Sequence, residues 1–297
     1  MVLNLVKGVT LFFLTGLGTM GNIFVFMNYI CIIGGTEKIY MHLILIHLVF
    51  TNTILLLSKG IPSTIAAFGL RIFLDIIGCK IVIYLERVAR GVSICTSSLL
   101  TVVQAITISP RHCVWKRLQP KSAWHILPLL LFFWILNSLL SMNVFSVITN
   151  INLNSSQIDK SDFYCGLPLK KQKINFIFVT LMALRDTAFQ SLMGGSSVYI
   201  VFLLHRHHQR VLYLKLSKFF YKTPPEIKAA QSVLILMLSF LFFYWTDCAI
   251  SLYFIVSFKN ASTIVNLQVF LTLGYAVLCP FVLIHRDGHL VKCCHSQ

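Results

Sequence analysis

Charged residues are scarce in this sequence, and acidic residues most of all. Asp and Glu together number nine among 297 residues, and all charged residues make up 11% of the chain. A soluble globular protein carries about 25% charged residues, roughly twice that fraction. Hydrophobic residues account for 57% of the chain. This composition excludes an ordinary soluble domain and favours a chain whose surface faces lipid.

The sequence also lacks the short motifs that carry enzyme chemistry. It has no Gly-rich phosphate loop, no Gly-x-Ser-x-Gly nucleophile turn and no pair of histidines at metal-binding spacing on one helix. His42 and His47 lie five residues apart, so they do not share a helical face, and we interpret them as packed or interfacial. The nine cysteines form no pair-of-pairs with histidine of the zinc-binding kind. We therefore predict a protein that is not an enzyme and that holds no metal and no cofactor.

Long apolar stretches are what the sequence has in abundance. Seven stretches each exceed the roughly 20 residues that a helix needs to cross the hydrocarbon core. They do not alternate in polarity, as the strands of a membrane β-barrel do. We predict an all-α membrane protein, a seven-transmembrane helix bundle that forms a single domain over residues 1–297. The predicted spans are Val9–Ile33, Tyr40–Phe68, Cys79–Ile108, Trp124–Val147, Ile174–Leu204, Ala229–Ser257 and Ile264–Ile284.

Three signals predict the orientation of the bundle. An odd number of spans places the chain ends on opposite sides, and thirteen Lys and Arg residues lie in the loops on one side against eight on the other. The richer side is expected to be cytoplasmic, which makes residues 1–8 extracellular and residues 285–297 a cytoplasmic tail. The glycosylation sequons at Asn154 and Asn260 both fall on the predicted outer side.

The third signal is a pair of cysteines on that outer side. Cys79 opens the third span and Cys165 lies in the loop after the fourth. A disulfide between them would pin this loop across the mouth of the bundle, since disulfides persist in oxidising compartments; two unrelated thiols are the alternative. Cys293 and Cys294 follow the last span, and either palmitoylation or unmodified thiols would suit them.

Ionisable residues inside the spans are the candidate functional site, because charges within a membrane are costly. The depths of these residues, counted at about 1.5 Å per residue along each helix, all fall in the outer half to the middle of the bundle. We predict a ligand pocket that opens to the outside; a structural ion-pair network is the alternative. Lys59 is interpreted as a residue that reaches out to the interface. The candidate ligand-binding residues are Glu86, Arg87, Arg90, Arg185, Asp186 and Asp247.

The predicted inner side is strongly basic and contributes to the net charge of +16. Anionic membrane lipid attracts such a surface, so the charge requires no nucleic-acid partner. The run at 205–210, rich in His and Arg, is interpreted as a solvated basic helix end and not as a metal site. Residues 211–220 either extend the fifth helix or lie on the membrane. The basic residues on this side include Arg111, Lys116, Arg117, Arg210 and Lys215.

Several motifs along the chain are similar to those of the type 1 vomeronasal receptors. The resemblance covers nearly the whole chain and is most specific from the second span to the second inner loop. That loop is preceded by Ile-Ser-Pro-Arg at the inner end of the third span, where this family carries its signature. The matching segments are Gly21-Asn22, Gly60–Leu70, Phe73–Lys80, Tyr84–Ser98, Gln104–Arg111, Tyr164-Cys165 and Pro280–Ile284.

The resemblance implies a G-protein-coupled receptor of the plasma membrane, which binds a small pheromone-like molecule and acts through an inhibitory-class G protein. The candidate G-protein-facing residues are then Arg111, Lys116, Arg117, Arg210 and Lys215. Like that family, the chain lacks the acidic-Arg-Tyr triplet after the third span and the Asn-Pro-x-x-Tyr pattern in the seventh, where Cys279-Pro280 stands instead. The alternatives are a bitter-taste-like receptor, a membrane transporter lined by the buried ions, and a receptor remnant that signals poorly.

Overall fold

In the part of the chain that the structure describes, every regular element is a helix. The structure is a computed structural model, and it describes residues 2–32, 39–69, 76–110, 117–120, 122–147, 172–214, 231, 234–246 and 261–286. The prediction of an all-α bundle is confirmed. The helices are α1 (Val2–Ile32), α2 (Ile39–Leu55), α3 (Ile61–Ala67), α4 (Ile76–Ile108), α5 (Leu127–Ser141), α6 (Asn143–Val147), α7 (Gln172–Leu214), α8 (Leu234–Thr246) and α9 (Ala261–Arg286).

These helices correspond to the seven predicted spans. A five-residue π-helical turn, Leu56–Gly60, joins α2 to α3, and a single turn at Met142 separates α5 from α6. Five described stretches are long and apolar enough to cross a membrane: Leu5–Cys31, Ile39–Ala67, Ile77–Ile108, Leu127–Phe145 and Thr180–Arg206. The described apolar parts of the sixth and seventh helices are Leu234–Thr246 and Val269–His285.

Two helices extend beyond the apolar runs that predicted them. Helix α1 begins at Val2 and not at Val9, and α7 continues to Leu214, ten residues past the predicted end at Leu204. A proline or a capping residue ends a helix, whereas the end of an apolar run does not. No Pro lies in either extension. For residues 211–214, the structure therefore favours the extended fifth helix over a segment lying on the membrane.

Helix α4 is the central helix of the bundle. Within its apolar window 78% of the residues are buried, against 28% for α1 and 22% for the apolar part of α7. Its small and branched side chains pack into one hydrophobic cluster with side chains from most of the other helices, for example Leu48 of α2, Met193 of α7 and Phe240 of α8. The outer helices expose large apolar side chains instead, as expected where lipid is the solvent.

His47 joins three helices near the middle of this core. The indole Nε1 of Trp134 on α5 donates to His47 Nε2 at 2.8 Å, and His47 Nδ1 lies 3.0 Å from Thr96 Oγ1 on α4. Because Nε2 accepts, the ring of a neutral histidine carries its proton on Nδ1 and donates it to Thr96. His47 is therefore packed, as the sequence suggested, and it ties α2 to α4 and α5.

Candidate functional site

The most buried charges of the bundle meet where α4, α5, α7 and α8 converge. Arg185 and Asp186, adjacent on α7, have side chains that are only 8% and 12% exposed. Arg185 Nη2 lies 2.5 Å from Asp186 Oδ1, and Arg185 Nε donates to the same oxygen at 2.7 Å. A second guanidinium nitrogen, Nη1, donates to the carboxamide oxygen of Asn137 on α5. Each charge therefore has a polar partner, which burial in lipid demands.

Tyr244 of α8 connects this cluster to α4. Its hydroxyl donates to Asp186 Oδ2 at 2.5 Å, while the guanidinium carbon of Arg90 lies 5.4 Å from the centre of its ring. The ring face attracts the Arg90 cation and the hydroxyl stabilises the Asp186 anion, so one side chain serves both charges. Arg90, Asp186 and Tyr244 thereby bring together three helices that are far apart in sequence.

Glu86 lies one helical turn before Arg90 on α4 and pairs with Lys59. Lys59 Nζ is 2.6 Å from Glu86 Oε1, with side-chain exposures of 27% and 19%. The sequence did not predict this ion pair of Lys59. Lys59 lies within the π-helical turn, which holds one more residue per turn than an α-helix and changes the direction of the following side chains.

The side chain of Arg87 contacts α6, the short helix at the end of the fourth span. Its Nη1 donates to Asn143 Oδ1 of α6 at 3.4 Å, a long contact for a hydrogen bond. Arg87 and Glu86 thus engage different neighbours, although they are adjacent on α4. The candidate residues on α4 consequently face three partners: the π-helical turn, α6 and α8.

Because Gly91 has no side chain, Asn137 of α5 and Arg185 of α7 can lie close to α4. A Cβ atom built at Gly91 would overlap the carboxamide oxygen of Asn137 and would lie 2.5 Å from Arg185 Nη1. Any side chain at this position would therefore push both groups away from the helix. The glycine is required for close packing here, and not for an unusual backbone conformation.

A small cavity lies beside Arg90 and Tyr244. It is lined by these two residues together with Ser93, Thr272, Tyr275 and apolar side chains, and it holds about 30 Å³. That volume suffices for a water molecule but not for a drug-sized ligand, whose pockets measure about 300–1,000 Å³. Hydrogen bonds extend the polar lining inward, from Ser93 Oγ to Asn52 Oδ1 at 3.0 Å.

Several predicted site residues lie outside the described part of the chain or are only partly described. Cys79 is disulfide-bonded in the structure, but Cys165 is among the residues outside, so their pairing stays a prediction. Arg117 is exposed in a short turn, and the backbone of Arg210 lies within α7. The other predictions outside the described residues concern Asp247, Asn154, Asn260, Arg111, Lys116 and Lys215.

Three neutral residues of the site escaped the sequence analysis. Tyr244 lies in a run of aromatic residues, and nothing in that run distinguishes it from a lipid-facing ring. Asn137 and Asn143 carried a detectable signal, because they are the two amides of one apolar span, where polar side chains hydrogen-bond between helices. Attention to charged residues alone missed them.

The family comparison agrees with this architecture. The model of the family described as "Vomeronasal organ pheromone receptor family" matches residues 5–296. The human protein "Vomeronasal type-1 receptor 4" is 32% identical over 289 residues, covering 95% of this chain and 94% of that protein. The mouse "Vomeronasal type-1 receptor 51" is 33% identical over 95% of this chain and 88% of its own length. The zebrafish "Olfactory receptor class A-like protein 1" is 30% identical over 96% of this chain and 90% of its own length.

Among solved structures, squid rhodopsin has a similar fold. Its crystal structure superposes with a TM-score of 0.73 over 98% of this chain and 84% of the rhodopsin, at 14% sequence identity. At that identity the likeness concerns the fold alone, and it confirms the seven-helix bundle of the G-protein-coupled receptor type. The family resemblance is confirmed too. A member of that family is a multi-pass membrane receptor and not an enzyme. The match therefore argues against the bitter-taste and transporter alternatives.

Proposed function

The chain belongs to the vomeronasal organ pheromone receptor family, and on that premise we propose that it detects a small chemosignal in the outer half of its helix bundle. The ligand engages the cluster formed by Arg90, Asp186 and Tyr244, with Glu86 and Arg87 at its rim; Arg185 and Asp247 complete the predicted set. The observation that carries this proposal is the convergence of charges from α4 and α7 on one tyrosine of α8.

The size of the cavity supports a mechanism in which the ligand shifts the bundle between two packings. A volume of about 30 Å³ beside Arg90 and Tyr244 is too small for a signalling molecule. The ligand therefore binds a packing in which α8 has moved away from α4 and α7, and its higher affinity for that packing changes the populations. A ligand that bound both packings equally would have no effect.

The movement reaches a heterotrimeric G protein of the inhibitory class at the basic inner surface. That surface comprises the loops at 109–123 and 205–228, with the candidate contacts Arg111, Lys116, Arg117, Arg210 and Lys215. Helix α7 supports this proposal because it runs without interruption from the charged cluster to Leu214. The same proposal places the chain in the plasma membrane with residues 1–8 outside and the tail at 285–297 inside.

A ligand screen in cells that express an inhibitory-class G protein tests this function. A library of volatile, steroidal and anionic molecules is applied to the unmodified chain and to Arg90→Ala and Asp247→Ala. We expect at least a tenfold loss of sensitivity in both variants. Thr187→Ala is the matched control, since Thr187 follows Asp186 on α7 but is exposed and bonds to its own helix. Normal responses of both charge variants to every hit, at equal surface expression, would refute the site.

Surface staining of intact cells separates a working receptor from the poorly signalling remnant. Epitope tags at the two ends are stained with and without permeabilisation. We expect the amino-terminal tag to stain on intact cells and the carboxy-terminal tag only after permeabilisation. The reverse pattern would overturn the orientation, and staining of neither end on intact cells would favour the remnant.

A further inference from the structure

A second cavity lies farther along α4, toward the inner ends of the helices. It has a volume of about 370 Å³ and lies between α4 and α7. Ala105 and Ser109 form part of its α4 wall, and Ser191, Gly195 and Tyr199 form part of its α7 wall. Gly195 follows Asp186 by nine residues on α7, which places this cavity about 14 Å along the helix from the charged cluster. Its volume falls within the range of small-molecule sites.

The cavity adjoins the surface that faces lipid. Leu192, one of its lining residues, is 51% exposed, and its neighbours Val198 and Phe202 on α7 are 70% and 57% exposed. These large apolar side chains lie within the membrane-spanning part of α7, Thr180–Arg206. A molecule dissolved in the bilayer can therefore reach the cavity without passing through water.

One end of the cavity presents a defined hydrogen-bond acceptor. Ser109 Oγ donates its only hydrogen to the carbonyl oxygen of Ala105 at 2.9 Å. The 3.0 Å contact between Ser109 Oγ and Tyr199 Oη must then use the hydrogen of Tyr199. The lone pairs of Tyr199 Oη remain able to accept a hydrogen from a ligand hydroxyl. Tyr199 lies seven residues before Arg206, about 10 Å from the end of the span.

The other lining residues indicate the charge and the polarity of the rest of the ligand. None of the described lining residues is charged, so nothing among them would recognise a phosphate or a carboxylate. Small residues leave the space open: a Cβ at Gly195 would have no atom within 4 Å. A rigid apolar body loses less conformational entropy on binding than a flexible acyl chain of similar size. The expected ligand is therefore rigid, apolar and neutral, with a single hydroxyl group at one end.

We propose that this cavity is a sterol site, in which a membrane sterol donates its hydroxyl to Tyr199 Oη and packs its ring system between α4 and α7. The sterol comes from the leaflet at the Ser109 end of the bundle. The site is separate from the chemosignal pocket, and its occupancy does not depend on that pocket. The sterol contacts α4 and α7 together and thereby joins two of the helices that carry the charged cluster.

Photolabelling of the full chain in lipid nanodiscs tests this site. The probe is a diazirine-bearing cholesterol analogue with a free 3-hydroxyl, and the labelled peptides are identified by mass spectrometry. We expect label in peptides that cover 102–109 and 191–199, with at least fivefold loss when unlabelled cholesterol competes. The 3-keto analogue, which lacks the donor, should compete at least fivefold less well. Equal competition by a long-chain alcohol or a diacylglycerol would overturn the assignment to a sterol.

Two variants and a matched control test the walls of the cavity. Gly195→Leu places a side chain in the space that is open around its Cβ and should reduce labelling of both peptides at least fivefold, and Tyr199→Phe should reduce it about threefold. Gly16→Leu is the control, because Gly16 also has open space around it but lines a separate groove between α1 and α3. Unchanged labelling in Gly195→Leu, or equal loss in Gly16→Leu, would overturn the proposal. The competition experiment uses the unmodified chain, so a variant that fails to fold leaves that test intact.

Discussion

Replacement of Gly91 by alanine adds one methyl group at the most crowded point of the charged cluster. The new Cβ would overlap the carboxamide oxygen of Asn137 and lie 2.5 Å from Arg185 Nη1. Both groups are held by other contacts: Arg185 by the carboxylate of Asp186, and Asn137 Nδ2 by the carbonyl of Phe133 at 2.7 Å. Gly91→Ala therefore strains the packing of α4 against α5 and α7 and breaks the bond between Arg185 and Asn137.

The cost follows from three contributions. Loss of a hydrogen bond to a charged group costs about 1.5–3 kcal/mol, and forcing extra volume into a packed interior costs about 1–3 kcal/mol. Alanine recovers about 1 kcal/mol over glycine through its higher helix propensity. The free energy of unfolding should therefore fall by about 1.5–5 kcal/mol.

Thermal unfolding of the purified full chain in detergent measures this loss. A change of 1 kcal/mol moves Tm by about 2–4 °C in chains of 150–250 residues, so a fall of several degrees is expected. Gly16→Ala and Gly194→Ala are matched controls, because a Cβ at either position meets no atom within 4 Å. Both should keep or slightly raise Tm.

A double-mutant cycle identifies the cause of the loss. Asn137→Ala removes the carboxamide that collides with the new methyl group, so Gly91→Ala should cost less in that background, with a coupling energy of about 0.5–3 kcal/mol. If Gly91→Ala melted at the same temperature as Gly16→Ala, and the cycle showed no coupling, the described packing of the cluster would be incorrect.

Three further substitutions test the remaining contacts, each by thermal unfolding of the full chain. Tyr244→Phe keeps the ring and deletes only the hydroxyl bond to Asp186, so it should cost about 1.5–3 kcal/mol; an unchanged Tm would contradict that bond. Lys59→Met leaves Glu86 without its cation and should cost about 1 kcal/mol at this partial exposure, and Glu86→Gln in the same chain should restore most of it. His47→Phe deprives the part-buried indole of Trp134 of its acceptor and should cost about 1–3 kcal/mol; a neutral result would refute the three-helix connection.

The fold was predictable from the sequence because a membrane imposes a minimum length on each apolar helix. That constraint located six of the spans to within a few residues at most ends, whereas the predicted ends of the sixth span lie outside the described residues. It did not predict the start of α1 at Val2 or the end of α7 at Leu214, because apolar length says where a helix meets lipid and not where its hydrogen bonding stops.

The site was predictable only in its charged members. Burial in a membrane selects Arg185 and Asp186 as costly residues, but their partners depend on helix rotation and on the path of each side chain. Lys59 shows the difficulty: it pairs with Glu86 from within the π-helical turn at Leu56–Gly60, which a uniform helical period does not describe. Neutral partners such as Tyr244 carry no electrostatic signal in the sequence.

The contacts of Tyr244 suggest how a ligand could change the packing of the bundle. Its hydroxyl holds α8 to the Asp186 carboxylate of α7, and its ring faces Arg90 of α4. A ligand that replaces the hydroxyl as the partner of Asp186 removes a bond worth about 1.5–3 kcal/mol from one packing only. A difference of that size changes the ratio of two packings by about 10- to 150-fold. A ligand that leaves this bond intact must gain its preference for one packing from other contacts. Whether Tyr244→Phe changes the response to an agonist therefore distinguishes the two kinds of ligand.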